Sequence, residues 1–226
     1  MNFLRQSFTI TAKDLRSEFR SKETINASLS FSVVILLLFS FAFEPEEAQI
    51  QSLAGGLLWL VFAFAGALVI NRSFARDLPH DCLDALLASP ISGAALFFGK
   101  AIANFILLLT LELICLPIFG LFYNVTWTRQ FWQLMLVVCL ATWGLSVVGT
   151  AFSAMTVNLR LRELMLPMLV YPIMIPCLLG AILLTADLVA GNAIAGDKVI
   201  FLKLLVGFDV IYTALALALV DHVLVG

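Results

Sequence analysis

Two carboxylates stand in the middle of long apolar stretches of this sequence. Glu112 lies within the run 95–122, and Asp209 lies within the run 199–220. A charged side chain at the centre of a membrane-spanning helix costs about 2.5–3.5 kcal/mol on insertion scales. Each carboxylate is therefore expected to face protein, carry a proton or line water. Two interpretations stay open: a translocation or conformational relay, and a neutral carboxyl group hydrogen-bonded between helices.

A second group of residues with functional potential lies in the loop after the second apolar run. Asp81 is predicted to cap a short helix, and Asp84 adds negative charge to the first turn of that helix. Three leucines then fall on one face: Leu83, Leu86 and Leu87. Since an exposed leucine face must be buried against something, the pattern favours docking to a partner over packing on the chain's own helices.

The composition indicates which elements must position these side chains. The chain has 226 residues, of which 62% are hydrophobic and 12% are charged. Soluble domains carry about 25% charged residues, so a soluble globule and a disordered chain are both excluded. Six continuous apolar runs have the length of membrane-spanning helices, and they occupy 25–43, 50–70, 95–122, 131–157, 164–186 and 199–220. The sequence therefore predicts an all-α polytopic membrane protein whose six-helix domain covers 25–226. Pro117 is expected to break the third helix.

The segment before these runs, residues 1–24, is predicted to form an amphipathic elbow helix on the membrane surface. Its apolar residues recur at helical spacing: Leu4, Phe8, Ala12, Leu15 and Phe19. Basic residues on its other faces suit anionic lipid head groups: Arg5, Lys13, Arg16 and Arg20. Two roles stay open for this helix, a simple topology anchor and a contact with a cytoplasmic partner.

The distribution of positive charge predicts the orientation in the membrane. Of the 13 Lys and Arg residues, ten fall on the side of the two termini and three on the other side. Cytoplasmic segments carry the excess of Lys and Arg. Both termini are therefore expected to be cytoplasmic, in a bacterial inner membrane.

Several stretches resemble the CcmB family of ABC-2-type permeases, which belongs to cytochrome c maturation. They follow one another along all six runs, and the clearest are 71–76, 83–90, 160–167 and 208–211. The resemblance implies a permease whose ATPase, CcmA, is a separate protein. It also implies CcmC, CcmD and the haem chaperone CcmE as partners. Because six helices are half of the usual transporter set, a homodimer is expected.

The same resemblance implies which residues contact the ATPase. The main coupling helix is assigned to 81–89, and its residues are Asp81, Leu83, Asp84, Leu86, Leu87 and Ser89. A second coupling turn is assigned to 158–163, where three charged residues are expected to form rim ion pairs: Arg160, Arg162 and Glu163.

The sequence agrees that the ATPase is a separate chain. The nearest approach to the phosphate-binding pattern GxxxxGK[ST] is 93–100, which has five residues between its glycines and is followed by Ala101. ATP and magnesium are therefore expected at the partner, and this chain is expected to bind no cofactor or metal. Haem is a candidate substrate, and whether it is carried or only motion is transmitted to release loaded CcmE stays open.

Two alternatives are weighed against this interpretation. One is a generic ABC-2 exporter of lipid, drug or glycan. The other is an intramembrane enzyme, which is disfavoured because the patterns HExxH and GxSxG are both absent. Membrane lipid is an expected partner, and nucleic acid is not.

Overall fold

The structure is a computed structural model that describes residues 3–42, 47–78, 82, 86, 91–123, 127–157, 159 and 161–225, with backbone alone for 47–52 and 221–225. Across these ranges the chain forms helices and no strand. The long helices are α1 (Phe3–Ser21), α2 (Glu23–Ala42), α3 (Glu47–Ala75), α4 (Gly93–Tyr123), α5 (Phe131–Thr156), α6 (Arg162–Val189) and α7 (Val199–Val225). A short 3₁₀ helix, Gly196–Lys198, precedes α7.

Among the described residues, six helices, α2 to α7, are long and apolar enough to cross a membrane. The predicted all-α fold with six spans is thus confirmed. The expected break at Pro117 is wrong, because α4 continues through this residue to Tyr123. α6 likewise contains three prolines. Neighbouring helices and local adjustments of the backbone satisfy the groups that a proline leaves free, so spanning helices tolerate it.

The helices pack around α3 and α5, which are the most buried of the six spans. One large apolar cluster includes Trp59 and Phe62 of α3, Phe119 of α4 and Val137 of α5. α2 and α7 are the least buried spans and lie at the edge of the bundle. Their outward surfaces are thus available for lipid or for other helices.

Polar side chains connect the central helices inside this apolar core. The Asn104 amide nitrogen donates to Ser73 Oγ at 2.9 Å and to Thr150 Oγ1 at 2.8 Å. These bonds join α4 to α3 and to α5. Hydrogen bonds between buried polar side chains stabilise helix association in membranes, where packing alone gives little specificity.

α1 precedes the bundle and packs on the first turns of α4. It turns into α2 at Lys22, whose φ of 54° lies in the left-handed region. Its buried face is largely polar, and the buried residues are Gln6, Ser7, Ile10, Thr11, Asp14 and Glu18. The predicted apolar face points outward instead, with Leu4, Phe8 and Phe19 exposed. This arrangement suits a helix that lies between a protein surface and the lipid.

Candidate coupling site and intramembrane carboxylates

A buried lysine organises the end of the bundle where α1 lies. Lys100, in the second turn of α4, has no exposed surface. Its ammonium group contacts Asp77 Oδ2 at 2.5 Å, Asp14 Oδ2 at 3.2 Å and the Ser73 carbonyl oxygen at 2.8 Å. The ammonium also lies 4.8 Å from the centre of the Phe74 ring. One side chain of α4 therefore holds both α1 and the end of α3.

A second lysine completes this group, which we call the lysine–aspartate cluster (Lys13, Asp14, Asp77 and Lys100). Lys13 Nζ lies 2.7 Å from Asp77 Oδ1 and 3.1 Å from Asp14 Oδ1. The cluster thus has two positive and two negative charges, as a buried group of charges requires. Two carboxylates, one from α1 and one from just after α3, thus bind Lys13, whose side chain stays 41% exposed.

The surroundings of Asp77 and Lys13 favour the charged forms of these two groups. Burial opposes the charge on Asp77, but Lys100 and Lys13 outweigh it and lower the pKa of this carboxyl from its ordinary value. Burial likewise opposes the charge on Lys13, and Asp14 and Asp77 overcome it and raise the pKa of the amine. Both groups therefore remain charged around neutral pH.

A further ion pair fixes the junction of α1 and α2. The Arg76 guanidinium contacts the Glu18 carboxylate, which is almost fully buried. The other oxygen of Glu18 accepts the backbone N–H groups of Thr24 at 2.8 Å and Ile25 at 3.0 Å. Glu18 therefore caps the positive N-terminal end of α2 while it ties α1 to the end of α3.

The lysine–aspartate cluster and the Glu18–Arg76 pair join α1, α3 and α4 next to the α3–α4 loop. This loop is the one predicted to carry the main coupling helix. Asp77 stands four residues before Asp81, and Lys100 follows the loop.

The sequence analysis did not predict Asp14, Asp77 or Lys100 as site residues. One signal was present on α1, where Ser7, Thr11, Asp14 and Glu18 recur at spacings of four, three and four. Such a polar stripe indicates a buried face only when another element can neutralise its charges.

Only part of the predicted main coupling helix falls within the described residues. Asp81, Leu83, Asp84, Leu87 and Ser89 lie outside the described residues. Leu86 is described, and it is half-buried against a small apolar cluster that contains Ile10, Phe74 and Leu96. For this leucine the structure supports the alternative of packing on the chain's own helices.

The second predicted coupling turn is described in part. Arg160 lies outside the described residues, while Glu163 is exposed in the first turn of α6. Arg162 is half-buried and lines a polar pocket at the junction of α1 and α2. Arg72 and Arg76 line the same pocket. The structure thus brings Arg162 close to the Glu18–Arg76 pair, on the same side of the bundle as the lysine–aspartate cluster.

The two intramembrane carboxylates lie in different places. Glu112 is fully buried, and one of its oxygens accepts a bond of 2.6 Å from the Thr142 hydroxyl of α5. Its other oxygen has no hydrogen-bond partner among the described residues. Glu112 therefore connects α4 to α5 through a hydrogen bond between helices.

Asp209 faces α5 from the middle of α7. It is 7% exposed, and neither carboxylate oxygen has a hydrogen-bond partner in the described part of the chain. The carboxylate rests against Gly144, where an added Cβ would lie 2.8 Å from Asp209 Oδ1. Glu112 and Asp209 thus contact different residues of α5, Thr142 and Gly144.

Six spanning helices with a polar-faced surface helix held against one end define a polytopic all-α membrane protein. The chain belongs to the CcmB family, because the family described as CcmB protein matches residues 5–223.

Individual relatives agree with this assignment. The chain is 31% identical to Heme exporter protein B of Rhodobacter capsulatus over 160 residues, which cover 71% of this chain and 73% of that protein. It is 29% identical to the protein of the same name from Paracoccus denitrificans, over 70% of this chain and 72% of that one. A Haemophilus influenzae protein with this name is 31% identical over 71% of this chain and 72% of its own length.

Proposed function

We propose that this chain is the membrane permease subunit of a haem-export complex in cytochrome c maturation and is not itself an enzyme. The observation that carries the proposal is the family match over residues 5–223, together with relatives named Heme exporter protein B. Haem is then the substrate of the complex, either carried across the membrane or handed on by release of the loaded chaperone CcmE.

The energy for this work comes from a separate CcmA-type ATPase that docks on the loop between α3 and α4. Residues 81–89 form the main coupling helix, and 158–163 form the second contact. The lysine–aspartate cluster supports this proposal, because Asp77 is bound to Lys100 at 2.5 Å and to Lys13 at 2.7 Å just before the loop. A displacement of the loop would therefore move α1, α3 and α4 together.

The complex lies in a bacterial inner membrane with both termini of this chain in the cytoplasm. CcmC, CcmD and CcmE complete it, and the chain is present as a homodimer. The excess of Lys and Arg in the segments on the side of α1 supports this orientation, because cytoplasmic segments carry such an excess.

The experiment is a complementation test in a strain that lacks the chain and retains the other subunits. The strain receives the wild-type chain, the Leu87→Asp variant or the Leu121→Asp variant. Leu121 is the matched control, since it is 80% exposed at the opposite end of α4. Haem bound covalently to cytochrome c is measured in membranes, and co-purification of the ATPase with the tagged chain is measured in parallel.

We expect the wild type and Leu121→Asp to restore cytochrome c, and Leu87→Asp to lose at least tenfold in recovered ATPase and in cytochrome c. A charge placed in a buried interface contact costs several kcal/mol, which is enough to release the ATPase. Normal cytochrome c without any form of this chain would overturn the haem role. If the Leu87→Asp chain is present in the membrane at the wild-type level and still recovers the ATPase in full, the coupling assignment is overturned. The haem role would be unaffected by that result.

A further inference from the structure

A polar pocket at the α1 end of the bundle has more positive than negative groups. It lies where α1, α2, α3 and α6 meet, and its volume is about 360 Å³. Its charged lining consists of three arginines and two glutamates, which are Arg72, Arg76, Arg162, Glu18 and Glu23. With three guanidinium groups against two carboxylates, one positive charge in the pocket is left over.

The three arginines differ in how firmly they are paired. The buried carboxylate of Glu18 holds Arg76, and its other oxygen is taken by the start of α2. Glu23 pairs with Arg72 at 2.5 Å, but their side chains are 67% and 46% exposed, and an ion pair so open to water contributes little. Among the described residues no carboxylate pairs with Arg162, which is half-buried. Arg72 and Arg162 can therefore donate to an anion that enters the pocket.

The pocket lies at the level of the membrane surface. Three spans have an end beside it, since the α2 span begins at Glu23, the α3 span ends at Ala75 and the α6 span begins at Arg162. All three of these residues line the pocket. The head groups of the lipids lie where the apolar spans end. An anion in this pocket is thus at the depth of a lipid phosphate.

An apolar stripe on α3 leads from the pocket toward the centre of the membrane. Leu60, Phe64, Leu68 and Arg72 recur at a spacing of four, which places them on one face of the helix. The three apolar side chains of this stripe are exposed. The distance from Leu60 to Arg72 is about 18 Å along the axis, slightly more than the hydrocarbon thickness of one leaflet, which is about 15 Å.

Aromatic side chains of the neighbouring helices border the stripe. The Phe31 ring of α2 lies 6.3 Å from the Phe64 ring, and the Tyr171 ring of α6 lies 6.1 Å from it. The exposed face of α3 is thus the floor of a shallow apolar groove between α2 and α6. This groove has the charged pocket at its end, and the combination matches the acyl chain and the phosphate of one phospholipid.

We propose that the pocket and the groove bind an anionic phospholipid, whose phosphate is held by Arg72 and Arg162 and whose acyl chain lies on Leu68 and Phe64. Guanidinium groups bind phosphate through paired N–H donors, and basic pockets between spanning helices recognise lipid head groups. An acidic side chain of a cytoplasmic protein would fill the pocket alone and leave the stripe uncovered, whereas a lipid fills both. The inference does not rest on the proposed function, and within the second ATPase contact it assigns only Arg162 to the lipid.

The first test measures lipid binding to the full chain purified in a neutral detergent. Native mass spectrometry compares the retention of dioleoyl phosphatidylglycerol, dioleoyl phosphatidylcholine and inorganic phosphate. We expect phosphatidylglycerol to be retained at least tenfold more than phosphatidylcholine, and inorganic phosphate not to be retained, because both the charge and the acyl chain contribute.

Variants of the same chain test the residues. Arg72→Gln and Arg162→Gln should each lower retention of phosphatidylglycerol at least fivefold. Arg20→Gln is the matched control, because it removes an exposed positive charge on the same side of the bundle, and it should keep retention at the wild-type level. The thermal midpoints of the three variants without added lipid should equal that of the wild type, since none of these charges is fully buried.

The second test locates the acyl chain. A phosphatidylglycerol with a diazirine in one acyl chain is activated by light in nanodiscs that contain the chain, and the adducts are mapped by peptide mass spectrometry. We expect the peptide with Phe64 and Leu68 to be labelled at least fivefold more than the peptide with Leu215, an exposed residue of α7. This labelling should fall with Arg162→Gln and persist with Arg20→Gln.

Four results would overturn the proposal. Equal retention of the two lipids, equal losses for Arg20→Gln and Arg162→Gln, or labels spread evenly over the exposed helices would each show lipid contact without a site. Retention of inorganic phosphate as strong as that of phosphatidylglycerol would show an anion site that needs no lipid.

A protein occupant would give a different pattern. If Arg162→Gln leaves lipid retention unchanged and lowers the recovery of the ATPase or of a second copy of this chain, the pocket is a protein contact and the proposal is wrong. None of these outcomes bears on the haem role, which the complementation test decides separately.

Discussion

At the scale of single residues, the ammonium group of Lys100 has three hydrogens and three acceptors. Asp14, Asp77 and the Ser73 carbonyl each take one, and the side chain has no exposed surface. Its removal would leave two buried carboxylates with only Lys13 as counter-charge. A broken buried ion pair costs about 3–5 kcal/mol, because the remaining charge stays desolvated.

We therefore predict that Lys100→Ala destabilises the protein by about 3–5 kcal/mol. Thermal unfolding in nanodiscs, followed by tryptophan fluorescence, measures the change. Lys203→Ala is the matched control, since Lys203 is an exposed lysine in another spanning helix. Equal midpoints for the two variants would show that the cluster does not hold α1 in place.

The pKa values of the cluster predict how its contribution varies with pH. Asp77 has a pKa below its ordinary 3.8, so its contribution is present above that pH and is lost as the pH falls through the lowered value. Lys13 has a pKa above 10.5, so its contribution is present below that pH and is lost as the pH rises through the raised value. The stabilisation from these two groups should be constant between about pH 5 and about pH 9.

The measurement compares melting temperatures of the wild type and Asp77→Asn from pH 3 to pH 11.5. We expect a constant difference across the middle of the range, which shrinks at both ends. A difference that changes between pH 5 and pH 9 would contradict the assignment and would indicate that another titrating group controls the docking of α1.

At the scale of elements, the close contact between α1 and α4 depends on a glycine, Gly99, which has no side chain. A Cβ at Gly99 would lie 2.7 Å from the Ser7 carbonyl oxygen and 2.8 Å from Ile10 Cβ. Thr11 Oγ1 also donates to the Gly99 carbonyl oxygen at 2.8 Å. The two helices therefore approach closely at this point, and α1 has to move if the glycine is replaced.

We predict that Gly99→Ala destabilises the protein by about 1–3 kcal/mol, the usual cost of overpacking. Gly56→Ala in α3 is the matched control, because an added Cβ there meets no atom within 4 Å. That control should be neutral or more stable by about 0.5–1 kcal/mol, since alanine favours the helix. The measurement compares the thermal midpoints of the Gly99→Ala and Gly56→Ala variants. An equal gain in stability at the two positions would exclude a tight contact between α1 and α4 at Gly99.

At the scale of the whole molecule, the proposed orientation in the membrane rests on the distribution of positive charge. The α1 end of the bundle carries the lysine–aspartate cluster and the arginine-lined pocket. The opposite end carries the α6–α7 connection, with an ion pair of 2.5 Å between Lys198 and Asp187.

We predict that a fluorescent protein fused after Gly226 is fluorescent in bacterial cells, while alkaline phosphatase fused there is inactive. Phosphatase fused within 190–196 should be active, because the proposed orientation places that connection on the periplasmic side. The reverse pattern would place the α1 end outside and would remove the proposed ATPase contact. Immunoblots of each fusion control for expression.

The sequence by itself determined the number and positions of the spanning helices and the family. Each span depends on the summed hydropathy of about 20 consecutive residues, which is a local property. The resemblance to the CcmB family rested likewise on short stretches, such as 160–167, that can be recognised without knowing their neighbours. The expected break at Pro117 failed because neighbouring helices decide whether a proline ends a spanning helix.

Only the tertiary structure decided which polar residues satisfy one another. Lys100 and Asp14 are 86 residues apart in the sequence, and Lys13 and Asp77 are 64 residues apart. Spacing along the chain therefore does not indicate that these residues pair. The outward apolar face of α1 and the unsatisfied carboxylate of Asp209 depend in the same way on what lies opposite. The cost of a buried charge is set by the groups that surround it in space, and those groups come from distant parts of the chain.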